Sequence, residues 1–103
     1  METETAAKVA TYLLQINAIK LDSQKPFTWA SGLKSPIYCD NRLSLSFPQV
    51  RTFLKNSLVQ ATRLFPEFDR VAGVATAGIP HGMLVADVLD LPFLYIRDKP
   101  KSH

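Results

Sequence analysis

Cysteine occurs once in this 103-residue chain, at Cys39, so an intramolecular disulfide and a cysteine-cluster metal site are both excluded. No apolar run approaches the ~18 residues that a membrane-spanning helix needs. The opening stretch, Met1 to Ala7, carries two glutamates and no basic segment, which argues against a secretory signal. A soluble protein in a reducing, cytoplasmic setting, with no membrane partner, is the expectation. Glycine is scarce: Gly73 and Gly82 do not complete a dinucleotide fingerprint, and no Gly-Lys-Ser/Thr phosphate loop exists. No histidine–carboxylate spacing suggests zinc, and there is no Gly-x-Ser-x-Gly nucleophile elbow.

What is present is an ordinary globular composition. Hydrophobic residues make up 47% and charged residues 20%, which rules out disordered and collagen-like chains. A chain of this length buries roughly 60–70% of the surface that it exposes when unfolded. The net charge of +3 is mild, but Arg97, Lys99, Lys101 and His103 alternate at the end. Such a patch is too short for a nucleic-acid groove, so it reads either as a solvated tail or as a compact polyanion site.

The apolar pattern predicts the elements in turn. Ala6, Val9, Leu13 and Ile16 recur at helical spacing, predicting a helix over about 3–18 with Thr3 or Thr5 as its cap. A short strand is expected at 18–21. Phe27-Thr28-Trp29 and Ile37-Tyr38-Cys39 flank a turn at 31–36 and predict a hairpin over 27–39. A second helix fits 46–64, with Ser46 as cap, Pro48 in the first turn and Val50, Leu54, Leu58 and Ala61 on its buried face. Val71 to Ala75 reads as a strand covered on both faces, residues 79–89 as a helix, and Phe93 to Ile96 as another strand. That strand–helix–strand unit implies parallel strands and a right-handed crossover.

Ligands in such sheets sit beyond the carboxyl ends of the strands. Thr76-Ala77-Gly78 and the 97–103 tail should therefore share one edge. The small loop opens a helix, so its backbone N–H groups suit an anion. Cations beside it would stabilise charge growing on a departing group, which speeds a reaction where uniform binding would not. Asp98 can trim that charge or meet a metal. His81 reads as structural or exposed, Cys39 as a small core residue, and Trp29 and Tyr38 as core residues before base-stacking platforms. One parallel pair makes a poor sheet with an apolar edge, so further strands are expected from residues beyond His103 or from another chain.

The stretch from Phe27 to Arg42, Phe-Thr-Trp-Ala-Ser-Gly-Leu-Lys-Ser-Pro-Ile-Tyr-Cys-Asp-Asn-Arg, resembles the N-terminal hairpin signature of orotate phosphoribosyltransferases. Val71 to Gly82 is similar to that family's strand, pyrophosphate-side loop and helix. Arg97-Asp98-Lys99-Pro100-Lys101-Ser102-His103 is similar to its mobile catalytic loop. The resemblance implies an α/β, type I phosphoribosyltransferase-like parallel sheet core with a small N-terminal hood. It divides the chain into an N-terminal helix and hood hairpin (about 1–42) and the first part of the core (about 43–103), with the C-terminal part of the core absent.

The resemblance also implies transfer of phosphoribose from phosphoribosyl pyrophosphate (PRPP) to orotate, giving orotidine 5′-monophosphate in pyrimidine synthesis. Magnesium is expected as cofactor, bound with the donor, and a homodimer in which each loop reaches the neighbouring subunit's site. Arg97, Lys101 and His103 are the implied catalytic pyrophosphate ligands, with Lys101 as the catalytic cation and Lys99 as helper. Thr76 and Ala77 would lie along the pyrophosphate, and Tyr38 and Cys39 near orotate. Two departures matter: Ala30 and Ala77 stand where some members carry lysine. The acidic donor-binding motif is also absent, so these residues alone are expected to be inactive. The alternatives are a phosphoribosyltransferase acting on a purine base, and a non-catalytic regulator binding PRPP or RNA.

Overall fold

Residues Thr3–Gln15 form helix α1 in the computed structural model, which describes residues 2–100. Its buried stripe is Val9, Leu13 and Ile16, with Thr5 rather than Ala6 completing it. The threonines do not cap it. Glu2 holds the extended cap position and makes no side-chain cap bond. The helix ends three residues early because Asn17 turns left-handed, at φ 62°. The Ala18 N–H then donates to Leu13 O at 2.9 Å and Asn17 N–H to Leu14 O at 3.1 Å, a Schellman closure that asparagine tolerates better than most side chains.

The chain divides into two units, Met1–Arg51 and Thr52–His103. In the first, β1 (Ile19–Leu21) follows α1 and packs against it. The strands β2 (Phe27–Thr28) and β3 (Lys34–Ser35) pair antiparallel, with Phe27 opposite Ser35. Gly32, at φ +89°, lets the connecting turn close, and Trp29 N–H reaches Leu33 O at 2.8 Å.

The hairpin expected over 27–39 is shorter than its sequence suggested. Pro36 has no N–H to continue the ladder, and Ser35 Oγ accepts the next N–H, from Ile37, at 3.1 Å. The chain therefore changes partner. The strand β4 (Ile37–Cys39) pairs antiparallel with β1, in the register Ile19–Cys39, Lys20–Tyr38, Leu21–Ile37.

A 3₁₀ turn, Asn41–Ser46, comes next, capped by Asp40, whose carboxylate accepts Arg42 N–H at 3.1 Å and Arg42 Nε at 2.9 Å. Ser46 ends this turn instead of capping the next helix. That helix, α2 (Pro48–Thr62), begins with Phe47 O accepting Arg51 N–H at 2.8 Å, and Pro48 sits first, where a missing N–H costs nothing. Val50, Ser57 and Val59 are its buried positions, while Leu58 is exposed, so the apolar face is turned from the expected one. The helix stops two residues early, in turns that carry Leu64 and Phe65 out to solvent.

The second unit contains β5 (Val71–Val74), helix α3 (Gly78–Leu89) and β6 (Phe93–Ile96). The strands β5 and β6 are parallel, with Val71 opposite Phe93 and Val74 opposite Ile96. Helix α3 lies on this pair through contacts that only glycine permits. A Cβ on Gly73 would sit 2.6 Å from Gly78 O, and one on Gly82 would sit 2.8 Å from Phe93 Cε1 and 3.2 Å from Gly73 Cα. The helix ends at left-handed Asp90 (φ 56°), with Leu91 N–H donating to Ala86 O at 3.0 Å. Only one face of the pair is covered, contrary to the expectation for β5: Val74 is 67% exposed and Ile96 53%. No helix among the described residues is long and apolar enough to cross a membrane.

Candidate functional site

Parallel pairing sets the geometry of the second unit's carboxyl edge. The strands leave the sheet level with one another, and Ala75 N–H donates to Ile96 O at 2.8 Å just beyond the last ladder pair. Ala75 and Arg97 follow the last ladder pair, Val74–Ile96, so the Thr76–Gly78 loop and the basic segment share this edge, as the topology predicts.

The loop enters α3 without a side-chain cap. Ala77 occupies the cap position in helical conformation (φ −66°, ψ −27°) and offers no polar atom. Ile79 N–H is taken by Thr76 O at 3.2 Å, and Pro80 has no N–H. The Ala77 and Gly78 N–H groups are thus the donors that the loop presents at the positive end of α3. Thr76 and Ala77 are exposed, and the Ala75–Thr76 peptide is cis.

Arg97 and Lys99 are exposed beside an open groove of about 810 Å³ that is also lined by Ile79, Met83, Tyr95 and Asp98. The strict alternation expected along this segment is interrupted: once β5 has left the sheet no ladder holds the chain straight, and the backbone bends at Asp98 and Lys99. The Arg97 guanidinium carbon lies 5.3 Å from the centre of the Tyr95 ring. In the sequence pattern Tyr95 is a strand residue with no assigned role. The signal for it was there, since an aromatic two residues before an arginine shares its face on an extended chain. Lys101 and His103, expected as pyrophosphate ligands, lie outside the described residues.

Tyr38 and Cys39 belong to the first unit, on β4. Both are exposed, which corrects the core placement expected for them. The Cys39 thiol donates to Asn41 Oδ1 at 3.1 Å. The Tyr38 ring lies 5.8 Å from that of Phe27, tilted by 40°. Trp29 is 42% exposed, also against expectation, because its Nε1–H donates to Ile37 O at 2.9 Å and so pins the ring across the hairpin. Next along the chain, hydrogen bonding to Arg42 holds the Asp40 carboxyl below the usual carboxylate range, and Asp40 in turn raises the Arg42 guanidinium.

Among the described residues, no group of three His, Cys, Asp or Glu side chains could hold a metal ion. Asp98 is the one carboxylate lining the groove.

Comparison with known proteins first defines a class. The fold matches that of type I phosphoribosyltransferases. An orotate phosphoribosyltransferase from Aeropyrum pernix superposes with a TM-score of 0.77 at 28% identity, over 92% of this chain and 52% of that one. An adenine phosphoribosyl transferase from Trypanosoma brucei superposes with a TM-score of 0.62 over 92% of this chain and 39% of that one; at 16% identity it shows the fold alone.

At the sequence level the chain is similar to orotate phosphoribosyltransferases. The chain is 56% identical over 99 residues, 95% of its length, to the orotate phosphoribosyltransferase of Streptococcus pneumoniae serotype 4, and covers 47% of it. No family model matches. The chain spans about half the length of the curated relatives that it matches, and its motif order fits the N-terminal half of an orotate phosphoribosyltransferase.

Proposed function

We propose that the chain supplies the pyrophosphate-side and orotate-side portions of an orotate phosphoribosyltransferase. In the reaction, the bond from ribose C1 of PRPP to a pyrophosphate oxygen breaks with its electron pair going to that oxygen. A bond forms from that carbon to an orotate ring nitrogen, and the proton of that nitrogen passes to the departing pyrophosphate or to water. The products are orotidine 5′-monophosphate and pyrophosphate. The observation that carries this reading is the shared edge, where the Thr76–Gly78 loop and Arg97 leave adjacent parallel strands at the same level.

The chemistry asks little of the protein beyond placement and charge. Donors at Ala77 and Gly78, with Arg97 and Lys99, would bind the pyrophosphate. Lys101 would stabilise the charge that grows on it as the bond breaks, with His103 assisting, and such stabilisation in a partly dry site is usually the largest catalytic contribution. Tyr38 and Cys39 would face the orotate ring. Magnesium enters as part of the substrate, bound by the donor's own phosphate oxygens, and no protein group is assigned to it. In the assembled enzyme, a cytoplasmic homodimer, the 97–103 loop would serve the neighbouring subunit.

A panel of bases tests this reading. The purified chain is combined with the complementary half of the S. pneumoniae relative and base-dependent pyrophosphate release is followed, with the chain alone as the inactive control. Release with orotate, none with adenine or xanthine, and loss of activity on Lys101→Ala are the expected results. Release with a purine base but not orotate would overturn the assignment. PRPP binding with no release from any base would favour the regulator.

A further inference from the structure

Arg97 is the first residue beyond β6, with no ladder partner of its own to fix it. An exposed arginine in such a place samples many rotamers, and ordering so long a side chain opposes ligand binding. The structure nevertheless gives the guanidinium a defined seat, 5.3 Å above the Tyr95 ring. Three features leave that ring accessible on a fixed strand. Tyr95 is on β6, in the ladder opposite Gly73, which carries no side chain to crowd it. Phe93, two residues earlier and on the same face, is wedged against Gly73 and Gly82, which anchors the strand under α3. Tyr95 is itself 44% exposed, so its face is open to the cation.

We propose that Tyr95 is a positioning residue. Its ring pre-orders the Arg97 guanidinium by cation–π attraction, at the edge where Thr76–Gly78 opens, and so strengthens binding of a diphosphate. This rests on the reading of Arg97 as a pyrophosphate ligand. The guanidinium suits the task because it stacks through its plane while its N–H edge remains free for phosphate oxygens; a lysine ammonium has no such edge.

Two measurements on the full 103-residue chain separate the seat from its purpose. In the first, Arg97 δ-methylene protons are followed by NMR. They should be shifted upfield by the ring in the native chain and in Tyr95→Phe, and return to ordinary values in Tyr95→Leu. Ordinary values in the native chain would overturn the proposal at once.

In the second, inorganic pyrophosphate is titrated. Tyr95→Leu should weaken binding about two- to five-fold, the range of an exposed cation–π contact. Tyr95→Phe and Tyr95→Trp should bind as the native chain does or better. In an Arg97→Ala background, Tyr95→Leu should have no further effect. If Arg97→Ala weakens binding and Tyr95→Leu does not, the positioning role is wrong while the ligand role of Arg97 stands. If Arg97→Ala itself leaves binding unchanged, the reading beneath the proposal fails with it. Should Tyr95→Leu not fold, the aromatic series decides: Tyr95→Phe binding several-fold more weakly than the native chain would refute the inference, because both rings offer the same face.

Discussion

Replacing Gly73 with alanine probes the contact that sets the loop's position. The new methyl carbon would lie 2.6 Å from Gly78 O and 3.1 Å from Phe93 Cζ, against a floor of 3.0 Å that real Cβ contacts respect. The oxygen belongs to backbone in the first residue of α3, so a rotamer change cannot relieve the clash. The start of the helix must retreat by at least 0.4 Å. Overpacking of this kind costs about 1–3 kcal/mol, partly offset by ~0.4–1 kcal/mol from the stiffer unfolded chain. The net expectation is a loss of roughly 1–2 kcal/mol, or a melting temperature lower by about 5–15 °C in a chain of this size.

Two other glycines provide internal scale. Gly78→Ala meets nothing closer than 3.8 Å, so helix propensity should leave the chain unchanged or up to ~1 kcal/mol more stable. Gly82→Ala should fall between, because its nearest obstacle at 2.8 Å is the edge of the Phe93 ring, which can turn, while Gly73 Cα at 3.2 Å cannot. Urea unfolding followed by helical circular dichroism ranks the three. Equal midpoints for Gly73→Ala and Gly78→Ala would refute the close helix–strand contact.

Asp90 places a left-handed aspartate and a negative charge at the negative end of α3, so Asp90→Gly should stabilise by about 1 kcal/mol, read as a higher urea midpoint. Trp29→Phe removes the Nε1–H bond to Ile37 O and should cost about 0.5–1.5 kcal/mol, read by thermal unfolding. The Asp40 carboxyl titrates below the ordinary carboxylate range because of Arg42. Its folded value is below its unfolded one, so its stabilising contribution is complete above the ordinary range and disappears as pH falls through the lowered value. NMR titration should show Asp40 moving back up toward ordinary carboxylates in Arg42→Ala, with that acid-side loss gone.

The second unit was largely legible in the sequence. The run Val71-Ala72-Gly73-Val74, a helical stretch and Phe93-Leu94-Tyr95-Ile96 gave element types, the parallel pairing and the shared edge, since periodicity and crossover rules depend little on distant contacts. The first unit was less so. Composition marks Phe27–Thr28 and Ile37–Cys39 as strands but pairs them with each other, whereas Pro36 and Ser35 redirect the ladder by a hydrogen-bond detail that composition does not carry. The helix expected to reach residue 18 stops before left-handed Asn17, and Ser46, expected as a cap, closes a 3₁₀ turn instead, because backbone conformation at single residues is not carried by apolar periodicity. Arg97 and Thr76 are legible from motif and topology. The Tyr95 stack needed coordinates, because spacing gives a shared face but not a distance.

Amide chemical-shift mapping of pyrophosphate on the 103-residue chain tests the central claim most directly. The account predicts saturable shifts centred on Ala77, Gly78 and Ile79 and on Arg97 to Lys99, diminished by Arg97→Ala and unmoved by an equal concentration of chloride. Shifts confined to other basic residues, such as Arg63 and Arg70, or none that saturate, would contradict it.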